Sequence, residues 1–173
     1  MATTNLPALG CYLAVFCWTR EWVLVLCAAA LAYYRNAMAV FVIFGACCCA
    51  VVAKALKRIL RQERPPGTNG CRQRKSYGMP SSHSASVIYF ATLLSVLLAD
   101  VFGTYVSVAT AALAATGVAA ALYRVKSGHH TVAQVAAGGC LGWAFALAWW
   151  ACRRPVLLRI EAVAAWAICA ASR

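Results

Sequence analysis

The stretch that decides the fold is PSSHSASVIYFATLLSVLLAD, residues 80–100. Its last residue is an aspartate, and the run 84–99 before it contains no charged side chain. A helix needs about 20 mostly apolar residues to cross a bilayer, and about 17 at the short end. The run reaches that length only if Ser82 and His83 are included, so the sequence predicts a membrane-spanning helix that begins at the serines.

Similar runs recur along the chain and set its class. The 173 residues are 64% hydrophobic, with a mean hydropathy of +0.73, which is too apolar for an ordinary soluble domain. We expect one domain over residues 1–173, an all-α polytopic transmembrane bundle of about five to six helices. The predicted spans are 36–53, 84–99, 104–122 and 131–151, with a shorter one over 22–34 that would have to begin near Val15.

The last apolar segment, residues 156–171, leaves two alternatives open. It contains Arg159 and Glu161, and both side chains are costly inside a bilayer. The segment is therefore either a weak sixth span or a helix that lies on the membrane surface.

Positive charge is concentrated beside one of the spans. The formal net charge is +12 with only four acidic residues, and half of the sixteen lysines and arginines fall within residues 54–75. Such clusters orient membrane proteins and attract anionic lipid. Nucleic acid is not an expected partner, because no soluble domain is present to bind it.

Polar residues converge in two places, residues 57–83 and residues 123–130. Between them the chain is predicted to cross the membrane over 84–99, turn at DVFGT (100–104) and cross back over 104–122. Both polar stretches should therefore emerge on the same face and can form one site.

The first stretch contains a row of cations. Lys54, Lys57, Arg61 and Arg64 lie at i, i+3, i+7 and i+10, which is a single stripe if the helix continues to the prolines that begin at Pro65. Lys57 and Arg64 would then be about 10.5 Å apart along the axis. A stripe of like charges favours a polyanion such as phosphate, although solvated side chains would give the same pattern.

The second element begins where Pro80 interrupts the chain. Ser81 and Ser82 are good N-cap residues, and the free N–H groups and dipole of a helix start attract an anion. His83 lies beside this anion site. A lone histidine at a helix start is often only a capping or interfacial residue, but its place beside a predicted phosphate site favours catalysis.

The third element is YRVKSGHHTVAQ, residues 123–134. Arg124 has the planar fork that binds phosphate in bidentate fashion. His130 is predicted to open the next helix with Gln134 on the same face, whereas His129 points about 100° away. The chain has no HExxH motif, and none of its ten cysteines forms a CxxC pair, so we expect no metal and no other cofactor.

Together these elements resemble a known family. K-x6-R-P at Lys57–Pro65, P-S-x-H at Pro80–His83 and R-x5-H at Arg124–His130 are similar in order and spacing to the three signatures of the type 2 phosphatidic acid phosphatase (PAP2) superfamily. Within it, YGMPSSHS and HTVAQV most resemble dolichyl-diphosphatase, with a plant lipid phosphate phosphatase group as a near neighbour.

The resemblance implies a role for each residue. His130 would attack phosphorus and form a phosphohistidine, and His83 would protonate the leaving oxygen. The phosphate would be bound by Lys57, Arg64, Ser81, Ser82 and Arg124. The superfamily usually has an aspartate where this chain has Gln134, and often a serine where it has Tyr123. Gln134 can still accept a hydrogen bond from Nδ1–H of His130, but it cannot stabilise an imidazolium as a carboxylate does.

The expected reaction is hydrolysis of dolichyl diphosphate to dolichyl phosphate, which would recycle the lipid carrier of N-glycosylation in the endoplasmic reticulum membrane. The partners would be a polyisoprenyl diphosphate and membrane lipids, with the oligomeric state left open. One alternative is a phosphatidate or other lipid phosphate phosphatase of a plastid membrane. Another is a catalytically silent protein that binds anionic lipid. The resemblance implies a site facing the lumen, whereas the cation count alone favours the cytoplasmic side.

Overall fold

The computed structural model describes residues 36–65, 77–103 and 107–171, together with residues 25, 27, 29 and 31–33. The chain divides into two compact units, Met1–Arg35 and Asn36–Arg173. In the first unit the described residues are helical, and most of the predicted 22–34 span lies outside them.

Helices are the regular secondary structure of the second unit among its described residues, and short non-helical segments connect them, so the predicted all-α fold is confirmed. Its helices in chain order are α1 Ala37–Leu60, α2 Ser82–Phe102, α3 Ser107–Lys126, α4 Val132–Ala151 and α5 Arg153–Ala171. Among the described helices, α1 to α4 are long and apolar enough to cross a membrane, and each covers most or all of one predicted span. The chain is therefore a polytopic membrane bundle.

Helix α5 is not among the helices that meet this criterion. Its first half packs against the core through Val156, Leu157 and Ile160, whereas its second half is exposed on all sides. The choice between a sixth span and a surface helix thus stays open.

The helix ends follow from local chemistry. The side chain of Asn36 caps α1 by accepting a hydrogen bond from the Ala39 backbone N–H at 2.8 Å. Ser81 caps α2, and Thr131 caps α4 in a capping box with Gln134. Helix α1 ends earlier than its charge pattern predicts, because Arg61 adopts the left-handed conformation (φ 47°) and its N–H bonds back to Lys57 O.

Helices α2 and α4 form the centre of the bundle and approach each other closely. Gly138 and Gly142 face α2, and a methyl group at either position would collide with the backbone of Ser81 or Ala85. Small residues spaced in this way allow two helix backbones to come together inside a membrane. The contact fixes the start of α2 against the first turns of α4.

Aromatic side chains attach α1 to this central pair. The Trp149 indole donates to Phe41 O at 3.1 Å, and the Tyr89 hydroxyl donates to Val42 O at 3.0 Å. Gly45 leaves the space that both polar groups occupy. Each hydrogen bond satisfies a polar atom that would otherwise be costly in an apolar core.

Replacing Gly142 by alanine should destabilise the protein, because the new methyl group would overlap the Ala85 carbonyl oxygen. Overpacking of this kind costs about 1–3 kcal/mol. Gly139→Ala is the matched control, since its methyl group would meet only Ile88 Cγ1 at an ordinary 3.8 Å. Unfolding titrations in mixed micelles measure both free energies, and equal values for the two variants would contradict the close approach.

Candidate active site

The predicted cations do not form one helical stripe. Lys57 lies in the last turn of α1 and is 8% exposed, but the helix stops at Leu60. Arg61 and Arg64 lie beyond this end, so the predicted 10.5 Å separation along a helix axis is wrong. The left-handed turn at Arg61 ends the helix and leads the chain into the non-helical segment that carries Arg64.

Arg64 nevertheless meets the histidine segment. Its Nη1 donates to His129 O at 3.2 Å and lies 3.3 Å from His130 Nε2. These contacts join parts of the chain that are 65 and 66 residues apart. They confirm that the two polar stretches emerge on the same side of the bundle.

His130 lies in the turn before α4 and does not open the helix, because Thr131 is the N-cap. Gly128 has a φ of 69°, a conformation that glycine adopts without strain, and the backbone N–H groups of His129 and His130 both point to Arg124 O. The turn buries the side chain of His130, which is only 3% exposed. It also attaches this histidine to the last turn of α3, where Arg124 lies.

Gln134 still meets His130, through the capping geometry. Its Oε1 lies 3.1 Å from His130 Nδ1 and accepts from Thr131 N at 3.3 Å. Its Nε2 donates to Glu63 O at 2.8 Å and to Gln62 Oε1 at 3.2 Å. The side-chain amide is 1% exposed, and both its oxygen and its nitrogen have two partners. The predicted contact with His130 is therefore present, although His130 lies outside the helix.

These contacts determine which nitrogen of His130 carries the proton. Thr131 N–H can only donate and the Glu63 carbonyl can only accept, so the Gln134 amide has one possible orientation. Its oxygen faces His130 Nδ1, which must then be the protonated nitrogen. Nε2 keeps its lone pair and faces the donor Nη1 of Arg64.

The surroundings of His130 favour the neutral ring. Burial, followed by the charge of Arg64, lowers the pKa of His130 from 6.5 to about 3, although the hydrogen bond to Gln134 acts in the opposite direction. The charges of Lys57 and Arg124 make smaller contributions to the same lowering of the pKa. Three cations therefore act on one uncharged imidazole, which stays neutral above about pH 3. This combination suits the binding of a polyanion beside a nucleophile.

The predicted serines and His83 lie at the start of α2. Ser81 N donates to Gln134 O at 2.9 Å, which links this helix start to α4. The Ser81 hydroxyl is buried and accepts from Ser84 N and Ser84 Oγ, so it acts as a cap. Ser82 and His83 are half-buried in the first turn of the helix. Phosphate binding by both serines and proton transfer by His83 stay predictions.

His129 has a different environment from its neighbour. Its Nδ1 lies 2.8 Å from Ser127 Oγ and 3.1 Å from Ser127 O, within the turn. The backbone carbonyl of His129 accepts from Arg64. This geometry supports the sequence-based choice of His130 over His129 as the nucleophile.

Sequence reasoning missed Gln62, Glu63 and Gly78. Gln62 and the carbonyl of Glu63 bind the Gln134 amide, and Gly78 N donates to Gln62 O at 2.7 Å. A side chain at Gly78 would collide with this amide. The T-x-x-Q pattern from Thr131 could have predicted the capping box, but no local pattern indicates the contacts with residues 62, 63 and 78.

Two further sequence features have no role assigned in the site described above. Arg72, Arg74 and Lys75 lie outside the described residues. Tyr123 is half-buried in α3, and its departure from the family pattern has no structural explanation here.

Comparison with known proteins identifies the family. Two chloroplastic proteins of Arabidopsis thaliana are similar: lipid phosphate phosphatase epsilon 2 is 30% identical over 118 residues and epsilon 1 is 31% identical over 133 residues. The alignments cover 67% and 75% of this chain but only 40% and 46% of those proteins, so the chain spans less than half the length of these relatives.

The fold has a counterpart among solved structures. It matches a transmembrane PAP2-type phosphatidylglycerolphosphate phosphatase from Bacillus subtilis with a TM-score of 0.65 and 16% identity, covering 86% of this chain and 78% of that one. Residues 36–157, which include all three motifs, match the PAP2 superfamily. The chain belongs to the PAP2 superfamily.

Proposed function

We propose that the protein is a membrane enzyme that hydrolyses a phosphate group from a lipid phosphate. The observation that carries this proposal is the environment of His130: a buried, neutral imidazole whose Nε2 faces Arg64 and whose pKa is lowered by three cations. A phosphate bound among these cations would lie beside the lone pair of Nε2. Family membership and the names of the Arabidopsis relatives support the same reaction.

The proposed reaction has two steps. His130 Nε2 attacks phosphorus, the P–O bond to the lipid breaks, and His83 donates a proton to the departing oxygen. Water then attacks the phosphohistidine, the P–N bond breaks, and His83 takes the proton from the water. Splitting the hydrolysis in this way replaces one difficult step by two easier ones.

The cations carry the electrostatic part of this reaction. Lys57, Arg64 and Arg124 neutralise charge on the transferring phosphoryl group, where positioning and charge supply most of the catalysis. Gln134 keeps the proton of His130 on Nδ1, so that Nε2 is the atom that attacks. The residues at this site supply the charge for which many phosphoryl-transfer enzymes use magnesium.

Two classes of lipid substrate are candidates. The names of the relatives favour a lipid phosphate and a plastid membrane. The motifs YGMPSSHS and HTVAQV, with glutamine at position 134, favour dolichyl diphosphate and the endoplasmic reticulum membrane. A diphosphate needs additional counter-charge as its second phosphoryl group leaves, and Arg72, Arg74 and Lys75 are available in the sequence for that purpose.

His130→Ala should abolish both turnover and labelling of the enzyme by a radioactive lipid phosphate, because it removes the attacking nitrogen. His129→Ala, its matched control, should retain most activity, since the ring of His129 places its Nδ1 beside Ser127 of the turn. Phosphate release from the purified protein in detergent measures the first effect. Labelling quenched in alkaline detergent measures the second, because the P–N bond of a phosphohistidine survives alkali but hydrolyses in acid. Loss of activity in His129→Ala with an active His130→Ala would reverse the assignment, and an inactive wild type would favour the lipid-binding alternative.

Assaying dolichyl diphosphate against phosphatidate decides between the substrates. Neutralising Arg72, Arg74 and Lys75 together should lower kcat/KM on the diphosphate by at least about tenfold and leave phosphatidate nearly unaffected. We expect a loss of this size because a hydrogen bond to a charged group contributes more binding free energy than an exposed surface charge does. Equal losses on both substrates would mean that these cations only attract anionic surfaces.

A further inference from the structure

Gln134 contacts a second segment of the site besides His130. Its Nε2 donates to the carbonyl of Glu63 at 2.8 Å and to the side chain of Gln62 at 3.2 Å. The next residue is Arg64, the cation that faces His130 Nε2. One buried amide therefore binds the proposed nucleophile on one side and the backbone that carries the arginine on the other.

We propose that Gln134 is a positioning residue for Arg64 as well as for His130, and that its NH₂ group is the reason why an amide and not a carboxylate occupies this position. The inference rests on the proposed function, because it concerns the same phosphate site. It assigns the two ends of one side chain to different tasks. The oxygen fixes the tautomer of His130, and the nitrogen fixes the distance between His130 and the phosphate-binding arginine.

The segment that carries Arg64 needs such an anchor. Residues 62–65 follow the Arg61 cap of α1 and are not helical, so the helix ladder does not hold them. Between Arg61 and Arg64, the segment is bonded on one side by Gly78 N to Gln62 O at 2.7 Å. On the other side it is bonded by the Gln134 amide at Glu63 O. Loss of the second anchor would allow Arg64 to shift relative to His130.

A carboxylate could replace only half of this arrangement. It would accept from His130 Nδ1 and Thr131 N, but its second oxygen would lie against the Glu63 carbonyl, where two acceptors repel. The side-chain amide of Gln62 could turn to donate, but a backbone carbonyl cannot. Gly78 lies so close to the other side of the amide that a Cβ at position 78 would collide with it, which restricts movement of the new group in that direction.

The proposed role of the NH₂ group and the contact with His130 alone predict different effects of one substitution, Gln134→Glu. If Gln134 served only His130, Gln134→Glu would keep the acceptor, gain a charge that stabilises imidazolium, and match or exceed the wild type. If the NH₂ group also positions Arg64, the same change should weaken phosphate binding. The two accounts therefore predict opposite directions for one substitution.

The experiment measures binding of orthovanadate, a phosphate mimic, to the purified protein in detergent by calorimetry, beside kcat and KM on a lipid phosphate. Near neutral pH, Gln134→Glu should raise the vanadate Kd and the KM by at least about tenfold. Ala133→Glu is the matched control: it adds the same charge at an exposed neighbouring position and should change both by less than about twofold. Gln62→Met removes one acceptor from an exposed residue and should raise the Kd about threefold with little change in kcat.

The outcomes separate the two proposals. A wild type that binds vanadate but hydrolyses no lipid phosphate overturns the proposed function, and the Kd values of the variants still test the inference. A Gln134→Glu variant that binds vanadate as tightly as the wild type overturns the inference while leaving the function intact. Should Gln134→Glu fail to fold, an unchanged Kd in Gln62→Met would overturn it instead.

Discussion

The side-chain amide of Gln134 is the interaction on which the site depends. It is 1% exposed and joins three parts of the chain: the turn with His130, the segment before Arg64, and the cap of α4, where its oxygen accepts from Thr131 N. A buried amide is costly unless its hydrogen bonds are made, so these parts are held in one arrangement. The backbone groups around it, a donor at Thr131 and an acceptor at Glu63, fix the orientation of the amide. That orientation then determines the tautomer of His130.

The membrane bundle provides the frame for this amide. Helices α1 and α3 end, and α2 and α4 begin, on the side where the cations and His130 meet. The close contact of α2 with α4 at Gly138 brings the start of α2 to the first turn of α4, where Ser81 N bonds to Gln134 O. Apolar packing thus fixes the helix ends, and hydrogen bonds between the connecting segments complete the site.

The sequence predicts those features that depend on local pattern. Hydropathy is enough to predict the four spans. Because two predicted crossings separate the polar stretches, both stretches lie on the same side of the membrane. The sequence could not predict the end of α1, because a left-handed helix cap is usually a glycine and here it is Arg61. Nor could it predict that Gln134 binds the carbonyl of Glu63, which is 71 residues away and contributes only backbone atoms. A motif predicts which side chains take part, whereas the tautomer follows from backbone contacts.

The measurement that tests this account most directly is the protonation state of His130. The chain has three histidines, so ¹⁵N-histidine labelling gives a readable ¹H–¹⁵N spectrum, and the His130→Ala variant assigns the signal. The account predicts a neutral ring with its proton on Nδ1 from about pH 8 to about pH 5, because burial and Arg64 lower the pKa of His130 to about 3. A proton on Nε2, or a titration near the ordinary value of 6.5, would contradict it.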